Sequence, residues 1–252
     1  FLVEEFGVKY VKIPDEMFGL GSHPFQIATL IRDRFGDSLD IWCYYRVDTC
    51  RQEHLELLRS AGFRWLCLGI EAANSQVRSG QKKGFADDRI YEVAEQLKEA
   101  DIDLAANYIL GLPGDTMESM EATFQLALEL NSPFVNFYCN QALPGSQQYR
   151  EALDSGYPLP QREGGPGWIG HAQYGFETEP YYQGDVLSPP QILAFRDWAQ
   201  VAYYEHPEFL AMLANDPKFG EKALAVVQEK VRPLKGMKRG LLSGRSFRDL
   251  PA

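Results

Sequence analysis

Apolar positions along residues 1–155 recur in two alternating periods. The runs at 8–13, 39–46 (LDIWCYYR), 64–70, 103–110 and 133–139 (PFVNFYC) are dense in β-branched and aromatic residues, as buried strands are. Helical spacing appears between them. Phe25, Ala28, Ile31 and Phe35 share a face within 24–35, and Leu55, Leu58 and Ala61 do so further on. Ile90, Val93, Ala94, Leu97 and Ala100 follow Asp87, and further helices are predicted over 118–130 and 145–153. Thr49 and Gln52 have capping-box spacing for the helix that Gly62 would close. Strand–helix units in succession predict a parallel sheet with right-handed crossovers. The pattern leaves both an open doubly wound sheet and a closed or partial barrel open. In either, the loops that follow the strands carry function.

Those loops hold the chain's concentrated Gly, Pro and acidic residues: Pro14-Asp15-Glu16, Arg46-Val47-Asp48, Gly69-Ile70-Glu71 and Leu143-Pro144-Gly145. The most informative is Gly111-Leu112-Pro113-Gly114-Asp115, where a buried strand breaks and restarts as a helix. Asp115 and Glu118 have the spacing of a capping box, with Asp115 as N-cap. Such a turn is expected to present backbone N–H groups at a strand's carboxyl end, where α/β folds bind ligands.

Beyond residue 156 the periods fade. Residues 157–187 are rich in Gly, Pro and aromatics, too long for a plain connection, and suit a substrate cover or an irregular packed excursion. Helices are expected at 190–204, with Ile192, Phe195, Ala199, Ala202 and Tyr203 inward, and at 208–213 and 219–231. The chain opens without Met, on a stretch that reads as the end of an amphipathic helix. Leu2, Val3 and Phe6 share a face there and Gly7 stands at C′, so the chain is expected to be a fragment.

A net charge of −10 argues against a broad nucleic-acid surface, and the basic tail over 218–252 is expected to be solvated. No run approaches the ~18 apolar residues of a membrane span. The four cysteines, Cys43, Cys50, Cys67 and Cys139, make no metal-ligand spacing. Three of them fall in predicted strands, where burial as a small apolar residue is expected. Nothing suggests disulfides, so a cytoplasmic location is expected. His23, His54, His171 and His206 are scattered and are read as structural or exposed.

The ordered set Asp15-Glu16-Met17-Phe18, Arg46-Val47-Asp48, Leu68-Gly69-Ile70-Glu71 with Lys83-Gly84 behind it, Asn107 to Asp115, and Ala142-Leu143-Pro144-Gly145-Ser146 resembles the radical S-adenosylmethionine (radical SAM) enzymes. It resembles most the branch with an N-terminal cobalamin-binding domain. The resemblance covers about residues 1–155. It implies an α/β fold: a partial (β/α)6 TIM-like barrel over 1–155, lacking its first strand, with a C-terminal helical extension over 156–252. It also implies S-adenosylmethionine, a [4Fe–4S] cluster held by a Cys-x-x-x-Cys-x-x-Cys loop, and, by the branch, cobalamin. In the family one electron from the cluster cleaves S-adenosylmethionine to a 5′-deoxyadenosyl radical, which abstracts a hydrogen from the substrate. This sequence has no such cysteine triplet. The cluster ligands are therefore expected upstream, and the chain alone is expected to be inactive.

The resemblance assigns cofactor contacts residue by residue. Asp15 and Glu16 would face the amino group of S-adenosylmethionine, against the alternative of a plain turn. Arg46 would capture its carboxylate, against an ion pair with Asp48 or Glu71. Glu71 would sit near the cofactor or bridge strand ends, and Asn107 would meet the ribose hydroxyls. Gly111, Leu112 and Leu143 would offer backbone edges to adenine, against simple chain reversal. Asn136 and Tyr138, alternating on the last strand with Asn140, would face a small-molecule substrate or serve as satisfied core polar groups. An electron donor such as flavodoxin or ferredoxin is the implied partner, with no nucleic acid and no membrane. Two other classes remain open: a barrel module that binds a nucleotide-like ligand without radical chemistry, and an ordinary TIM-barrel lyase or hydrolase.

Overall fold

A computed structural model describes residues 1–74, 77, 87–157, 159, 186–218, 225, 227, 228 and 231. The fold is α/β. Five parallel strands form one curled half-barrel sheet in chain order: β1 (Tyr10–Ile13), β2 (Asp40–Arg46), β3 (Phe63–Glu71), β4 (Asp103–Leu110) and β5 (Phe134–Cys139). Of the two architectures open to the pattern, the barrel-like one is observed. The helices are α1 (Leu2–Phe6), α2 (His23–Phe35), α3 (Gln52–Ser60), α4 (Asp87–Glu99), α5 (Met117–Leu130), α6 (Gln147–Asp154), α7 (Pro189–Tyr204) and α8 (Pro207–Asn215). Lys83, Gly84, His171, most of 157–187, most of 219–231 and the basic tail beyond Lys218 lie outside the described residues.

Two compact units divide the chain. The first comprises Phe1–Ile70, Lys82–Asn107 and Ser132–Val135, the second Glu71–Gln81, Tyr108–Asn131 and Asn136–Ala252.

In the first unit β2 alternates between half-buried and buried positions, the period of a strand with two unlike faces. Ile41, Cys43 and Tyr45 are buried, as are Leu55 and Leu58 of α3 and Ile90, Val93 and Leu97 of α4. The opposite face carries Trp42, Tyr44 and Arg46. The β2–β3 register steps from Ile41↔Phe63 to Trp42↔Trp65, so Arg64 is the extra residue of a bulge. That step sets Trp42 and Trp65 opposite each other, stacked with centroids 5.2 Å apart, and Phe134 meets Trp42 edge-on at 5.2 Å. The Arg89 side chain of α4 donates to the Cys50 carbonyl just before α3. Helix α1 forms and Gly7 closes it, but none of its residues is buried: Leu2 and Phe6 stay exposed.

The expected capping box of α3 is not formed. Its N-cap is Arg51, without a side-chain bond. Thr49 instead donates its hydroxyl to the Arg46 carbonyl, 3.2 Å away, and so tightens the turn that leaves β2. Thr49 prefers this local backbone acceptor, as short hydroxyl side chains often do.

In the second unit Tyr108 stacks on Phe137 at 5.3 Å, and Phe124 of α5 meets Trp198 of α7 at 4.7 Å. Ile192, Phe195, Ala199 and Tyr203 are buried as the periodicity predicts. The Gln200 side chain accepts from the Phe137 backbone N–H at 3.2 Å, supplying a partner on the last strand of the sheet order.

Candidate active site

In the first unit β1 ends at Ile13, and the following turn carries Asp15 and Glu16 exposed. Asp15 Oδ1 accepts from the Met17 N–H at 2.9 Å, which shapes the turn, and Glu16 is exposed. Arg46, the last residue of β2, makes a forked pair with Asp48: Nε to Oδ1 at 2.8 Å and Nη2 to Oδ2 at 2.6 Å. Among the readings open to Arg46, the Asp48 pair is observed. Both groups are partly exposed, so the pair contributes at most about 1 kcal/mol and a ligand carboxylate can compete for the guanidinium. Asn107 is half-buried and its Nδ2 donates to Cys67 Sγ at 3.0 Å.

In the second unit Glu71 is buried and left-handed, with φ of 70°. A non-glycine residue held there stores backbone strain, a condition concentrated at functional sites. Asn136 and Tyr138 share one half-buried face of β5, as alternation requires, while Asn140 is buried and its N–H donates to the Leu110 carbonyl at 2.8 Å. Leu143 stands exposed at the tip of the turn that precedes α6.

The glycine turn differs from expectation in two ways. Asp115 is not the N-cap of α5. Thr116 is, and its partner in the capping box is Ser119, not Glu118. Asp115 is 1% exposed and turns back into the loop. Its Oδ2 accepts from the Gly111 and Leu112 N–H groups at 2.9 and 3.0 Å, and its Oδ1 accepts from Ser119 Oγ at 2.5 Å. The N–H groups expected to face a ligand are thus engaged by the chain's own carboxylate, and both Gly111 and Leu112 are buried. Burial pushes the Asp115 carboxyl above its ordinary value, while the bonds from Ser119, Leu112 and Gly111 pull the other way. Gly111 is needed sterically as well: its φ is 77°, and a Cβ would stand 2.8 Å from Ile192 of α7.

Three features escaped the sequence reading. Asp115 as a loop anchor was masked by its capping position. Arg196 and Asp197 lie buried side by side on α7, Nε to Oδ1 at 2.7 Å, and the only signal was a charged pair inside an apolar helix. Gly19 packs against the Tyr45 ring, a contact no local pattern announces.

All four cysteines are buried and unbridged. Burial pushes the Cys50 thiol up to about 12 and Cys43 further still. Among the described residues no group of three His, Cys, Asp or Glu could hold a metal ion. A cluster needs accessible thiolates, so this chain's cysteines do not fit a [4Fe–4S] centre. The exposed carboxylates of Asp15 and Glu16, in the first unit, are chemically able to pair with a cationic group.

Residues 29–127 match the family model of the Radical SAM superfamily. Over those residues the chain resembles the Radical SAM superfamily. An uncharacterized methyltransferase of Pyrococcus horikoshii is 24% identical over 152 residues, 59% of this chain and 32% of that protein. The anaerobic magnesium-protoporphyrin IX monomethyl ester cyclase of Cereibacter sphaeroides is 27% identical over 157 residues, 61% of this chain and 26% of that protein. The chain therefore spans about a third or less of the length of these relatives. Among solved structures, the radical S-adenosylmethionine methyltransferase TsrM of Kitasatospora setae, with cobalamin and a [4Fe–4S] cluster bound, has a TM-score of 0.56 at 20% identity. The match covers 66% of this chain and 33% of that one. The archaeal Elp3 of Methanocaldococcus infernus, lacking its N-terminus, has a TM-score of 0.52 at 14% identity over 79% of this chain and 47% of its own. At these identities the likeness is one of fold.

Proposed function

We propose that this chain is the S-adenosylmethionine-binding barrel of a radical SAM enzyme that generates a 5′-deoxyadenosyl radical to act on a small-molecule substrate. The observation that carries this is the Radical SAM match over residues 29–127, falling on a curled parallel sheet whose loops hold the family's motifs. The cluster ligands come from outside these residues, since the chain's own thiols are sealed, and the chain alone is inactive. Asp15 and Glu16 pair with the ammonium group of S-adenosylmethionine, and Arg46 takes its carboxylate in exchange for Asp48. Asn107 turns its amide toward the ribose, and Leu143 covers adenine. Gly111 and Leu112 serve the cofactor through the path of their backbone, since their N–H groups are held by Asp115. Glu71 borders the cofactor, and Asn136 and Tyr138 face the substrate. The likeness to a cobalamin-bound methyltransferase supports a cobalamin-dependent methylation or rearrangement. A flavodoxin or ferredoxin in the cytoplasm supplies the electron. No described helix is long and apolar enough to cross a membrane.

The test is anaerobic reconstitution of the full-length protein, with iron content, S-adenosylmethionine binding and 5′-deoxyadenosine release measured together. Cluster, binding and release are expected. Binding without cluster or release favours the non-radical nucleotide-binding module, and the loss of all three overturns the assignment. Within the expected outcome, Asp15→Asn with Glu16→Gln weakens S-adenosylmethionine binding by roughly tenfold, the scale of one or two charge-assisted contacts. Unchanged binding removes these carboxylates from the site.

A further inference from the structure

The loop joining β1 to α2, residues 14–22, has only two buried residues, Phe18 and Gly19. Phe18 stacks on Phe63 with centroids 5.4 Å apart. Gly19 lies flat against the phenol end of Tyr45. A Cβ there would stand 2.0 Å from Cζ and 2.2 and 2.5 Å from the two Cε atoms, where ordinary contact begins at 3.4 Å. Any side chain at position 19 must therefore lift the loop by more than an ångström or displace a ring sealed at 2% exposure. The Tyr45 hydroxyl is buried without a hydrogen-bond partner. What meets the loop is thus the ring face and not a polar bond. Tyr45 belongs to β2, one residue before Arg46, so its ring is as fixed as the strand.

This contact is coupled to the acidic turn by short steps. The Leu20 N–H donates to the Met17 carbonyl at 2.9 Å, and the Met17 N–H donates to Asp15 Oδ1 at the same distance. The turn is thereby closed between Asp15 and Leu20, with Gly19 inside it. A shift at Gly19 moves Asp15 and Glu16 as a body.

We propose that Gly19 and the Tyr45 ring form a seat that fixes the height of the turn carrying Asp15 and Glu16, which makes Gly19 a positioning residue for S-adenosylmethionine. This rests on the reading that these carboxylates face the cofactor's ammonium group. Pulling a charge-assisted contact out of reach costs roughly tenfold or more in affinity.

The experiment is a double-mutant cycle in the full-length protein, reconstituted anaerobically. Gly19→Ala, Tyr45→Leu and their combination are compared for the Kd of S-adenosylmethionine by equilibrium dialysis and for hydrogen exchange over residues 15–20. Gly19→Ala raises Kd by about tenfold or more and speeds exchange in the turn. Leu does not reach the space of the phenol end, so the double variant regains room for the methyl and returns to within about threefold of the unsubstituted protein, the coupling expected of residues in contact. A Gly19→Ala protein with unchanged Kd and exchange overturns the seat, as does a double variant that recovers neither. If Gly19→Ala fails to fold, a folded, binding double variant supports the seat and an unfolded one overturns it. If the unsubstituted protein binds no S-adenosylmethionine, the functional reading falls, while the exchange pattern still decides the seat.

Discussion

Asp115 shows how one carboxylate can set the character of a loop. It is buried, it accepts from two backbone N–H groups and a hydroxyl, and burial raises its pKa. Asp115→Ala orphans two buried donors at once and is expected to cost about 3 kcal/mol, at roughly 1–3 kcal/mol per unsatisfied group, read from urea unfolding. Asp115→Asn keeps one acceptor oxygen for both N–H groups and costs less. The pH dependence separates the two states of the group. A carboxyl with a raised native pKa binds more protons folded than unfolded, so stability falls as pH rises through the window from its ordinary 3.8 up to the raised native value. Unfolding followed across that window should show the decline in the unsubstituted protein and a flatter profile in Asp115→Asn. An equal slope in both would assign the decline to another group, of which Asp40, also raised by burial, is the first to examine.

The helix starts test the same point one level up. Thr116→Ala removes the real cap of α5 and should cost about 1 kcal/mol, while Glu118→Gln, at an exposed position that is no part of the box, should cost less than about 0.5 kcal/mol. Thermal unfolding of the two variants side by side decides it, and the reverse order would restore Asp115 and Glu118 as the box. The strands and helices themselves were legible because apolar period reports burial directly: β4 falls on the predicted residues 103–110, and α7 buries Ile192, Phe195, Ala199 and Tyr203 as its spacing requires. The caps were not legible. Asp115 and Thr116 are adjacent and both are good N-caps, and which one caps depends on which is drawn into the loop by buried N–H groups. Thr49 likewise had a competing carbonyl at Arg46. The site was legible as a set of loops and not as contacts. Gly19 against Tyr45 and Gly111 against Ile192 join residues far apart in sequence, which no local spacing encodes.

At the scale of the molecule, the parallel half-barrel and the superfamily match over residues 29–127 agree on a barrel of radical SAM type, whereas the thiols speak against its holding a cluster by itself. The chain alone, incubated anaerobically with iron and sulfide, is accordingly expected to show no cluster absorption, and the full-length protein is expected to show it. A cluster formed on the chain alone would mean that the buried cysteines become exposed and converge, and would overturn the burial described above.

The sealing of Cys43, Cys50, Cys67 and Cys139 has a practical side. A thiol alkylates through its thiolate; all four are shut away from solvent, and burial also raises Cys43 and Cys50 well above the ordinary thiol value. In a longer protein that contains this chain, every fast-labelling sulfur would therefore belong to some other segment, with almost no background from this one. The slow labelling of its own four would then serve as a clock for how often the barrel opens.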